Sequence, residues 1–471
     1  MDSTTEDGKA AEATSGVVST EGLAEERRRN AKPWRRYLYD LMAAEISSMV
    51  KYYDRLIQYK PVMFDEGDLL DNIDARVKYK YNDLELMPDL SGEETERSAI
   101  LLSGNINFTY DIQELLRELK PRMSRTSRIV AVAYNPYHKV LFKVMTALGL
   151  SRSGNMTTFV TKSSLEQLAK LEDLEMVSVR PVCYLPFKLL GLGWLFNKVM
   201  PAVPVFRWLS MASVIVFRPI IPSEKKPSIS IVIPARNEAG NIRNAIVQTP
   251  QMEGVDTEII FVEGHSSDNT WEEIQKVVAE GHDFFKLSCY QQTGKGKVDA
   301  VRLGFSKANC DLFTILDADL TMPPEMLPRF YDAYVEGRAD YINGSRLLYP
   351  MEGEAMRFLN HLGNLFFAKT LSALCDLPLG DSLCGTKLVA AHDYERFKAW
   401  RDDFGDFDPF GDFELIFPAA VLGLSSIDIP VRYKARTYGS TNINRFRHGL
   451  ILLKMVTVGL FRIRMGRTKL S

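Results

Sequence analysis

The chain has 471 residues, of which 46% are hydrophobic and 25% charged, with five cysteines and a formal net charge of −2. This composition is typical of soluble globular domains and excludes a mainly disordered chain, a collagen and a multi-span transporter. The near-zero charge gives no overall basic field, so no nucleic-acid partner is expected. An odd number of cysteines without a C-x-x-C pair argues against a disulfide framework or structural zinc and favours a reducing, cytoplasmic compartment.

Composition divides the chain into five predicted parts. A polar N-terminal tail without a signal-peptide-like apolar stretch is expected to be disordered, and a polar segment bracketed by prolines reads as a linker. No uncharged apolar run reaches about 18 residues, so no membrane span is expected. The predicted parts are a tail (1–30), a first domain (31–222), a linker (223–228), a second domain (229–445) and a basic amphipathic C-terminal helix (446–471).

The first domain is predicted to be α/β, with helices and strands mixed. The patterns indicate helices at 34–58 and 112–119 and strands at 76–81, 99–102, 128–133, 175–182 and 212–217.

The second domain alternates more regularly. A β-branched run at 229–233 reads as a buried strand. The patterns then indicate strands at 258–262, 284–288 and 311–316 and helices at 270–280 and 297–307. Such alternation favours βαβ units and a parallel sheet.

A D-x-D motif, Asp317-Ala318-Asp319, follows the strand predicted at 311–316. Carboxyl ends of strands are where α/β sheets bind ligands. Hard carboxylate oxygens at Asp317 and Asp319 suit Mg²⁺ or Mn²⁺, with a diphosphate completing the coordination shell. Taken alone, the motif is more often a solvated turn, because a D-x-D frequently occurs by chance.

Three further motifs accompany the D-x-D in a fixed order. They are IVIPARNE (231–238), FVEGHSSDNT (261–270) and GKGK (294–297). With DAD (317–319), this set resembles glycosyltransferase family 2, the nucleotide-sugar transferases of GT-A fold. The resemblance covers about residues 228–445 and implies a metal-dependent, inverting transferase that uses a nucleotide-sugar donor.

The resemblance also implies residue roles at the donor site. Pro234, Ala235, Glu238 and Glu263 would hold the nucleoside, although this chain has Glu263-Gly264-His265-Ser266 where family members commonly carry Asp-Asp-Gly-Ser. Asp268 would contact the nucleotide, or alternatively it caps the following helix. Lys295 and Lys297 would neutralise phosphates, or alternatively they form a solvated helix start.

Later motifs look like the polyprenyl- or dolichyl-phosphate sugar synthase branch. They are NGSR (343–346), GDSLCGTK (380–387) and RYKARTYGSTN (432–442), with Asn442 where that branch commonly has lysine. By this likeness Arg346 and Arg436 bind phosphate, for which the planar guanidinium is suited. Asp381 would be a catalytic residue.

The segment FGDFDPFGDFE (404–414) aligns with the position where many family members carry a Glu-Asp pair. Asp412 would be the catalytic base, with Gly411 in place of the first acid. A hydroxyl acceptor needs such a base, whereas a phosphate acceptor is already ionised and needs none.

Residues 71–219 resemble the latter half of class I S-adenosylmethionine methyltransferases, on the helix at 111–120, Pro121-Arg122 and the strand at 128–133. That family binds its cofactor on a glycine-rich turn, because glycine lets the backbone approach the ligand closely. Before residue 99 no two glycines lie within five residues of each other. The domain is therefore predicted to be a degenerate, partial Rossmann-like fold that does not bind S-adenosylmethionine. Its removal is expected to affect solubility or localisation more than sugar transfer.

Two segments suit a membrane surface. Residues 445–471 carry seven Lys or Arg and no Asp or Glu, with apolar residues at helical spacing. The alternative is a helix packed on the second domain. Residues 186–217, rich in Leu, Trp, Phe and Val, are expected to dock onto the second domain, a membrane or a partner.

The sequence thus predicts a glycosyltransferase that moves a sugar from a nucleotide donor to a polyprenyl-phosphate-like lipid, peripheral at the cytoplasmic face of a membrane. The alternatives are a bifunctional methyltransferase and glycosyltransferase acting on a hydroxyl acceptor, and a non-catalytic binding module. The sugar, the base and the oligomeric state are not indicated.

Overall fold

The computed structural model describes residues 33–62, 68–92, 95–147, 156–349, 358–405, 408, 411–434, 438 and 445–465. These residues form two mixed β-sheets covered by helices, which confirms the α/β class. The strands are β1 (Arg55–Tyr59), β2 (Lys78–Tyr81), β3 (Ser98–Ser103), β4 (Arg128–Tyr134), β5 (Leu174–Val182), β6 (Ala212–Pro219), β7 (Ile229–Ala235), β8 (Thr257–Glu263), β9 (Phe285–Gln291), β10 (Leu312–Ile315), β11 (Tyr341–Ser345), β12 (Lys387–Ala390) and β13 (Ser426–Pro430).

The helices connect these strands and cover both sheets. They are α1 (Pro33–Val50), α2 (Asp68–Asn72), α3 (Asn105–Phe108), α4 (Ile112–Leu119), α5 (Lys139–Ala147), α6 (Lys162–Leu171), α7 (Leu192–Val199), α8 (Ile242–Val247), α9 (Thr270–Glu280), α10 (Lys297–Lys307), α11 (Leu327–Val335), α12 (Phe358–Cys375), α13 (Ala391–Phe404), α14 (Phe413–Val421) and α15 (Arg445–Gly459), which continues as a π-helical turn (Leu460–Met465). Short 3₁₀ turns occur at Lys120–Arg122, Pro136–His138, Leu189–Gly191, Met200–Ala202, Pro204–Leu209, Ala239–Asn241 and Pro324–Met326.

The first sheet has the strand order β2-β1-β3-β4-β6-β5. Strands β1 to β4 are parallel, and β6 runs antiparallel to both β4 and β5. Successive β3 residues alternate between two buried clusters, with Ala99 in one and Ile100 in the other, so both faces are covered. The helix predicted at 34–58 was too long: α1 ends at Val50, because the apolar residues around Gln58 form β1 between two neighbouring strands. The likeness to a methyltransferase stays a prediction.

The second sheet has the order β13-β11-β12-β10-β7-β8-β9. Strands β7, β8, β9 and β10 are parallel, as predicted. Strand β12, which the sequence did not predict, is antiparallel to both β10 and β11 and makes the sheet mixed. An antiparallel strand begins where its parallel neighbours end. The first residue of β12, Lys387, therefore lies at the carboxyl ends of β10 and β11.

Buried arginines join the two units, which we define as the first unit (described residues up to 222) and the second unit (described residues from 223). Arg128 Nη2 donates to Asp340 Oδ2 at 2.6 Å, and Arg97 Nη2 donates to Asp393 Oδ1 at 2.7 Å. Arg218 Nη2 donates to the carbonyl oxygens of residues 337 and 338, and its side chain is 1% exposed. The side chains of all three arginines are at most 1% exposed.

Candidate functional site

The loops after β7, β8 and β10 meet at one edge of the second sheet, because these strands are parallel neighbours. Each of these loops holds a non-glycine residue with positive φ: Asn237 (57°), His265 (57°) and Leu320 (52°). Leucine rarely adopts this conformation, and such backbone strain is concentrated at functional sites. The edge that the D-x-D motif predicted as a ligand site therefore also has unusual backbone geometry.

Asp317 and Asp319 follow β10 at this edge. Asp317 Oδ1 forms an ion pair with Nζ of Lys297, the first residue of α10. Asp319 Oδ1 accepts from the backbone N of Thr321 at 3.1 Å and from its hydroxyl at 2.8 Å. The structure thus brings together the D-x-D and one of the two lysines predicted to bind phosphate.

The Lys297 ammonium is stabilised by the negative charges of the carboxylates around it. Burial alone would lower the pKa of Lys297, but the charges of Asp317 and Asp412 outweigh it and raise the pKa above its ordinary value. Burial would likewise raise the pKa of Asp317, and Lys297 reverses that effect and lowers it. Both groups stay charged at neutral pH. Lys295, by contrast, is exposed.

Asp412 lies just before α14 and is paired with a buried lysine. Lys387 Nζ donates to Asp412 Oδ1 at 2.6 Å, and the Lys387 side chain is fully buried while that of Asp412 is 12% exposed. Lys387 also donates to the backbone oxygen of Cys384. Asp408 Oδ2 accepts from the backbone N of Phe413 at 2.7 Å and thereby caps α14.

Asp381 and Arg346 are bound to each other. Arg346 Nε donates to Asp381 Oδ2 at 2.7 Å and Arg346 Nη2 donates to Asp381 Oδ1 at 3.0 Å. Asp381 is fully buried and also accepts from the backbone N of Leu383. Burial would raise the pKa of Asp381, but Arg346 lowers it. This geometry favours a positioning role for Asp381 over the predicted catalytic one, and it leaves only part of the Arg346 fork for phosphate.

A second buried acid braces the same loop. Asp428 Oδ1 accepts from Asn343 Nδ2 at 2.8 Å, and its other oxygen accepts from the backbone N of Gly380. Burial, reinforced by the nearby charge of Asp381, raises the pKa of Asp428 to about 6. Loop 380–386 is thus held in place from two sides, by Asp381 within it and by Asp428 from β13.

Loop 380–386 passes directly over the D-x-D motif. A Cβ atom added at Gly385 would overlap both Asp317 Oδ2 and Lys297 Nζ. Only glycine allows the backbone this close to the ion pair. The approach places Gly385 and Lys387, which belong to the GDSLCGTK motif but were given no role of their own, within the charged cluster of Lys297, Asp317, Asp319 and Asp412.

The residues predicted to hold a nucleoside lie at the ends of β7 and β8. Glu263 is 2% exposed and accepts from the backbone N of Ser266 at 2.5 Å and from Gln291 Nε2 at 3.2 Å. Burial would raise the pKa of Glu263, but the bonds from Ser266 and Gln291 lower it. Glu238 Oε2 accepts from Asn241 at 2.8 Å. Pro234 is half-buried and Ala235 is buried, and the Ala235 carbonyl accepts from Gly264.

Asp268 is bound to the first residue of α9, close to the capping role that the sequence offered as the alternative, although the N-cap position itself is Asn269. Its Oδ1 accepts from the backbone N of Thr270 at 3.1 Å and from the Thr270 hydroxyl, at the start of α9. Its Oδ2 is 3.4 Å from the hydroxyl of Tyr438. Tyr438 therefore reaches the loop after β8. Arg436, predicted to bind phosphate, lies outside the described residues.

The donor set is that of a magnesium or manganese site completed by substrate. Among the residues that the structure describes, no group of three or more His, Cys, Asp or Glu side chains forms a complete metal site. Mg²⁺ typically takes one or two carboxylates together with substrate phosphates and water. Asp317 and Asp319 supply those two carboxylates, with the cationic Lys297 beside them. The residues present fit a divalent cation that binds with a diphosphate.

Comparison with known proteins finds similarity to part of the second unit. Residues 230–389 match the model of Glycosyl transferase family 2. Dolichol-phosphate mannosyltransferase of Pyrococcus furiosus is 33% identical over 120 residues, 25% of this chain and 33% of that protein. Undecaprenyl-phosphate 4-deoxy-4-formamido-L-arabinose transferase of Yersinia enterocolitica is 35% identical over 118 residues, 24% of this chain and 36% of that protein. Residues 230–389 of the second unit are therefore similar to glycosyltransferase family 2.

The aligned regions are partial. Glycosyltransferase AglD of Haloferax volcanii is 26% identical over 246 residues, and the chain spans only about a third of the length of these three relatives (33%, 36% and 37%). Among solved structures, Mycobacterium tuberculosis glucosyl-3-phosphoglycerate synthase with Mn²⁺, UDP-glucose and phosphoglyceric acid is 19% identical with a TM-score of 0.37, covering 51% of this chain and 80% of that one.

Within the described residues, no helix has the length and apolar character needed to cross a bilayer.

Proposed function

We propose that the protein is a metal-dependent, inverting glycosyltransferase that moves a sugar from a nucleotide-sugar donor to a polyprenyl-phosphate-like lipid. The observation that carries the proposal is the charged cluster at the carboxyl end of β10, where Asp317, Asp319 and Lys297 meet within a family 2 domain. The names of the two relatives above, one acting on dolichol phosphate and one on undecaprenyl phosphate, support the choice of acceptor.

Asp317 and Asp319 would hold Mg²⁺ or Mn²⁺, which supplies positive charge to the leaving diphosphate. Lys297 would place an ammonium beside the same phosphates, at the N-terminus of α10, where backbone N–H groups favour anions. Lys295 would add a second, exposed cation. Glu238 and Glu263 are already engaged by their own loops. They would therefore shape the nucleoside pocket through the backbone they hold, next to Pro234 and Ala235.

The acceptor oxygen would displace the nucleoside diphosphate in one step, inverting the sugar. A phosphate acceptor is ionised at neutral pH, so the reaction needs no base. In that case the Asp412 carboxylate, which accepts a hydrogen bond from Lys387, serves to position the cluster. Arg346 and Arg436 would supply positive charge to the acceptor phosphate.

A lipid-borne acceptor would place the enzyme at the cytoplasmic face of a membrane as a peripheral protein. Helix α15 has features of both alternatives that the sequence raised, a helix on a membrane surface and a helix packed on the second unit. Leu452 and Met455 pack into the core of the second unit, whereas Leu450 is 70% exposed and Leu453 is 51% exposed. The exposed side would face lipid.

The proposal is tested by incubating the full chain with a panel of nucleotide sugars and a polyprenyl phosphate in the presence of Mn²⁺ or EDTA. Asp317→Asn and Asp319→Asn should each lower turnover by about 100-fold or more, since metal-ion charge stabilisation amounts to several kcal/mol. Asp332→Asn, on the exposed surface of α11, is the matched control. The product's anomeric configuration, read by NMR, should be opposite to the donor's. Full activity of both variants, or activity unchanged in EDTA, would exclude the metal role.

A further inference from the structure

An apolar segment of the first unit, residues 187–209, leaves several of its described large side chains exposed to solvent. Leu190 is fully exposed, Val205 is 71% exposed, and Leu192 and Trp208 are more than half exposed. Soluble proteins rarely leave contiguous apolar surface of this kind uncovered unless it binds something. Neither the family 2 match at 230–389 nor the site chemistry accounts for it.

The segment is continuous with exposed apolar surface on both units. The Trp208 ring lies 6.3 Å from the ring of Tyr137, which immediately precedes α5. Arg207 forms an ion pair of 2.6 Å with Asp376, directly after α12. The turn at 200–202 packs against the π-helical turn at 460–465 that follows α15. We call this combined surface, made of α5, residues 187–209, α12 and α15, the apolar face.

The segments that form the apolar face carry basic and no acidic residues, and the acid at its edge, Asp376, is paired with Arg207. Residues 135–147, 187–209, 358–375 and 445–465 contain no Asp or Glu, in a chain whose net charge is −2. Within 187–209 the charged residues are Lys188, Lys198 and Arg207. Lys198 Nζ lies 4.7 Å above the ring of Trp194, so the lysine stem covers apolar surface while its ammonium remains near water.

We infer that the apolar face binds the surface of an anionic lipid bilayer, with residues 187–209 of the first unit as its principal insertion element. Exposed leucine, phenylalanine and tryptophan beside lysines is the composition of segments that lie in the headgroup region. The absence of acidic residues matches a negatively charged surface. Helix α7 is only 8 residues long, so the segment lies on the bilayer rather than crossing it.

This inference deepens the proposed function, because a lipid-borne acceptor reaches the second unit from the same surface. It assigns the membrane contact mainly to the first unit and only secondarily to the C-terminal helix. Vesicle binding is measured without sugar donor or acceptor. It can therefore succeed or fail separately from sugar transfer.

The test is co-sedimentation of the full chain with phosphatidylcholine vesicles that do or do not contain phosphatidylserine. The variant Leu190→Asp/Val205→Asp changes two exposed side chains, one of which has a positive φ that aspartate tolerates. Its partition onto anionic vesicles should fall about tenfold or more. The control Leu86→Asp/Leu171→Asp changes equally exposed residues of the same unit outside the apolar face and should bind as the unchanged chain does.

Binding of the unchanged chain should require the anionic lipid and weaken as salt is raised. The same circular dichroism spectrum and thermal midpoint in all variants excludes misfolding as the cause. The inference is overturned if the unchanged chain does not bind anionic vesicles, or if Leu190→Asp/Val205→Asp binds undiminished while Leu450→Asp/Leu453→Asp does not. It is also overturned if light scattering shows a dimer that Leu190→Asp/Val205→Asp converts to monomer, because the face is then an interface between two copies.

Discussion

Gly385 is the residue whose importance depends most directly on geometry. Its backbone lies against the Lys297–Asp317 ion pair, with no space for a Cβ atom. Gly385→Ala should therefore displace Asp317 or loop 380–386 and lower turnover by about tenfold or more, since small misplacements at a reacting centre are costly. Steady-state assay of the purified variant measures the effect.

The matched control for this change is Gly363→Ala in α12, where a Cβ atom would meet nothing within 4 Å. It should keep full activity. If Gly385→Ala were as active as Gly363→Ala, the close approach of loop 380–386 would have no part in the reaction.

Asp412 distinguishes between the two kinds of acceptor. With a phosphate acceptor, Asp412→Asn should lower turnover less than about tenfold, because asparagine still accepts from Lys387 and no proton must be removed. With a hydroxyl acceptor the loss should be about 100-fold or more, which is the usual effect of losing a general base.

Glu414→Gln is the comparison for Asp412→Asn, because Glu414 is a buried carboxylate of the same helix start, paired with Arg302 at 2.8 Å. Turnover and thermal midpoint are measured for both. A 100-fold loss confined to Asp412→Asn, with a confirmed lipid-phosphate acceptor, would contradict the positioning role.

Some residues of the site were predictable because their function is local in sequence. Asp317 and Asp319 directly follow a buried strand, and Lys297 opens a helix after two glycines. Lys387 was not predictable, because its partner Asp412 is 25 residues away along the chain and the pairing depends on β12 running antiparallel. Arg346 was noticed for its motif, but its bidentate contact with Asp381 requires the fold of loop 380–386.

At the scale of elements, a buried ion pair joins Arg128 of β4, in the first unit, to Asp340, which directly precedes β11. Burial would raise the pKa of Asp340, but Arg128 and Arg218 reverse this and hold it well below its ordinary value. Asp340→Leu would leave these guanidiniums without their buried partner. Such a loss typically destabilises by about 3–5 kcal/mol. A fall in the thermal midpoint of several degrees is therefore expected.

The control for Asp340→Leu is Lys170→Gln, which removes an ion pair whose lysine side chain is 65% exposed. An exposed pair contributes at most about 1 kcal/mol, so the midpoint should hardly move. Equal midpoints for the two variants would show that the buried network does not stabilise the interface.

Buried, β-branched strands were the elements that sequence predicted best. The strand predicted at 258–262 is β8 (Thr257–Glu263), and the helix predicted at 297–307 is α10. Strand β12 was missed because its four residues begin with a lysine, and only the fold shows that this lysine is buried. Strand β1 was read as a continuation of α1 because a short apolar run fits either period.

At the scale of the whole molecule, the first unit is bound to the second through hydrogen bonds and ion pairs between their residues. Tyr53 donates to the carbonyl oxygen of Leu422 at 2.8 Å, and Arg396 Nη2 of the second unit donates to Asp54 Oδ2 at 2.6 Å. Together with those of Arg97 and Arg128, these contacts hold the first unit against the second. Sequence alone treated 31–222 as separable, because no motif marks an interface of scattered arginines.

The geometry of this interface predicts a larger effect of removing residues 31–222 than the sequence did, from which solubility or localisation was expected to suffer more than sugar transfer. A chain of residues 223–471 alone would expose Asp340 and Asp393, which are 3% and 2% exposed in the complete protein, together with the apolar residues around them. We expect this half to be insoluble or unfolded and inactive. Co-expression with residues 31–222 on a separate chain should restore soluble protein, because the contacts are noncovalent. Expression yield, circular dichroism and transfer activity measure the outcome. A folded, fully active 223–471 would show that the first unit serves only solubility or localisation, as the sequence suggested.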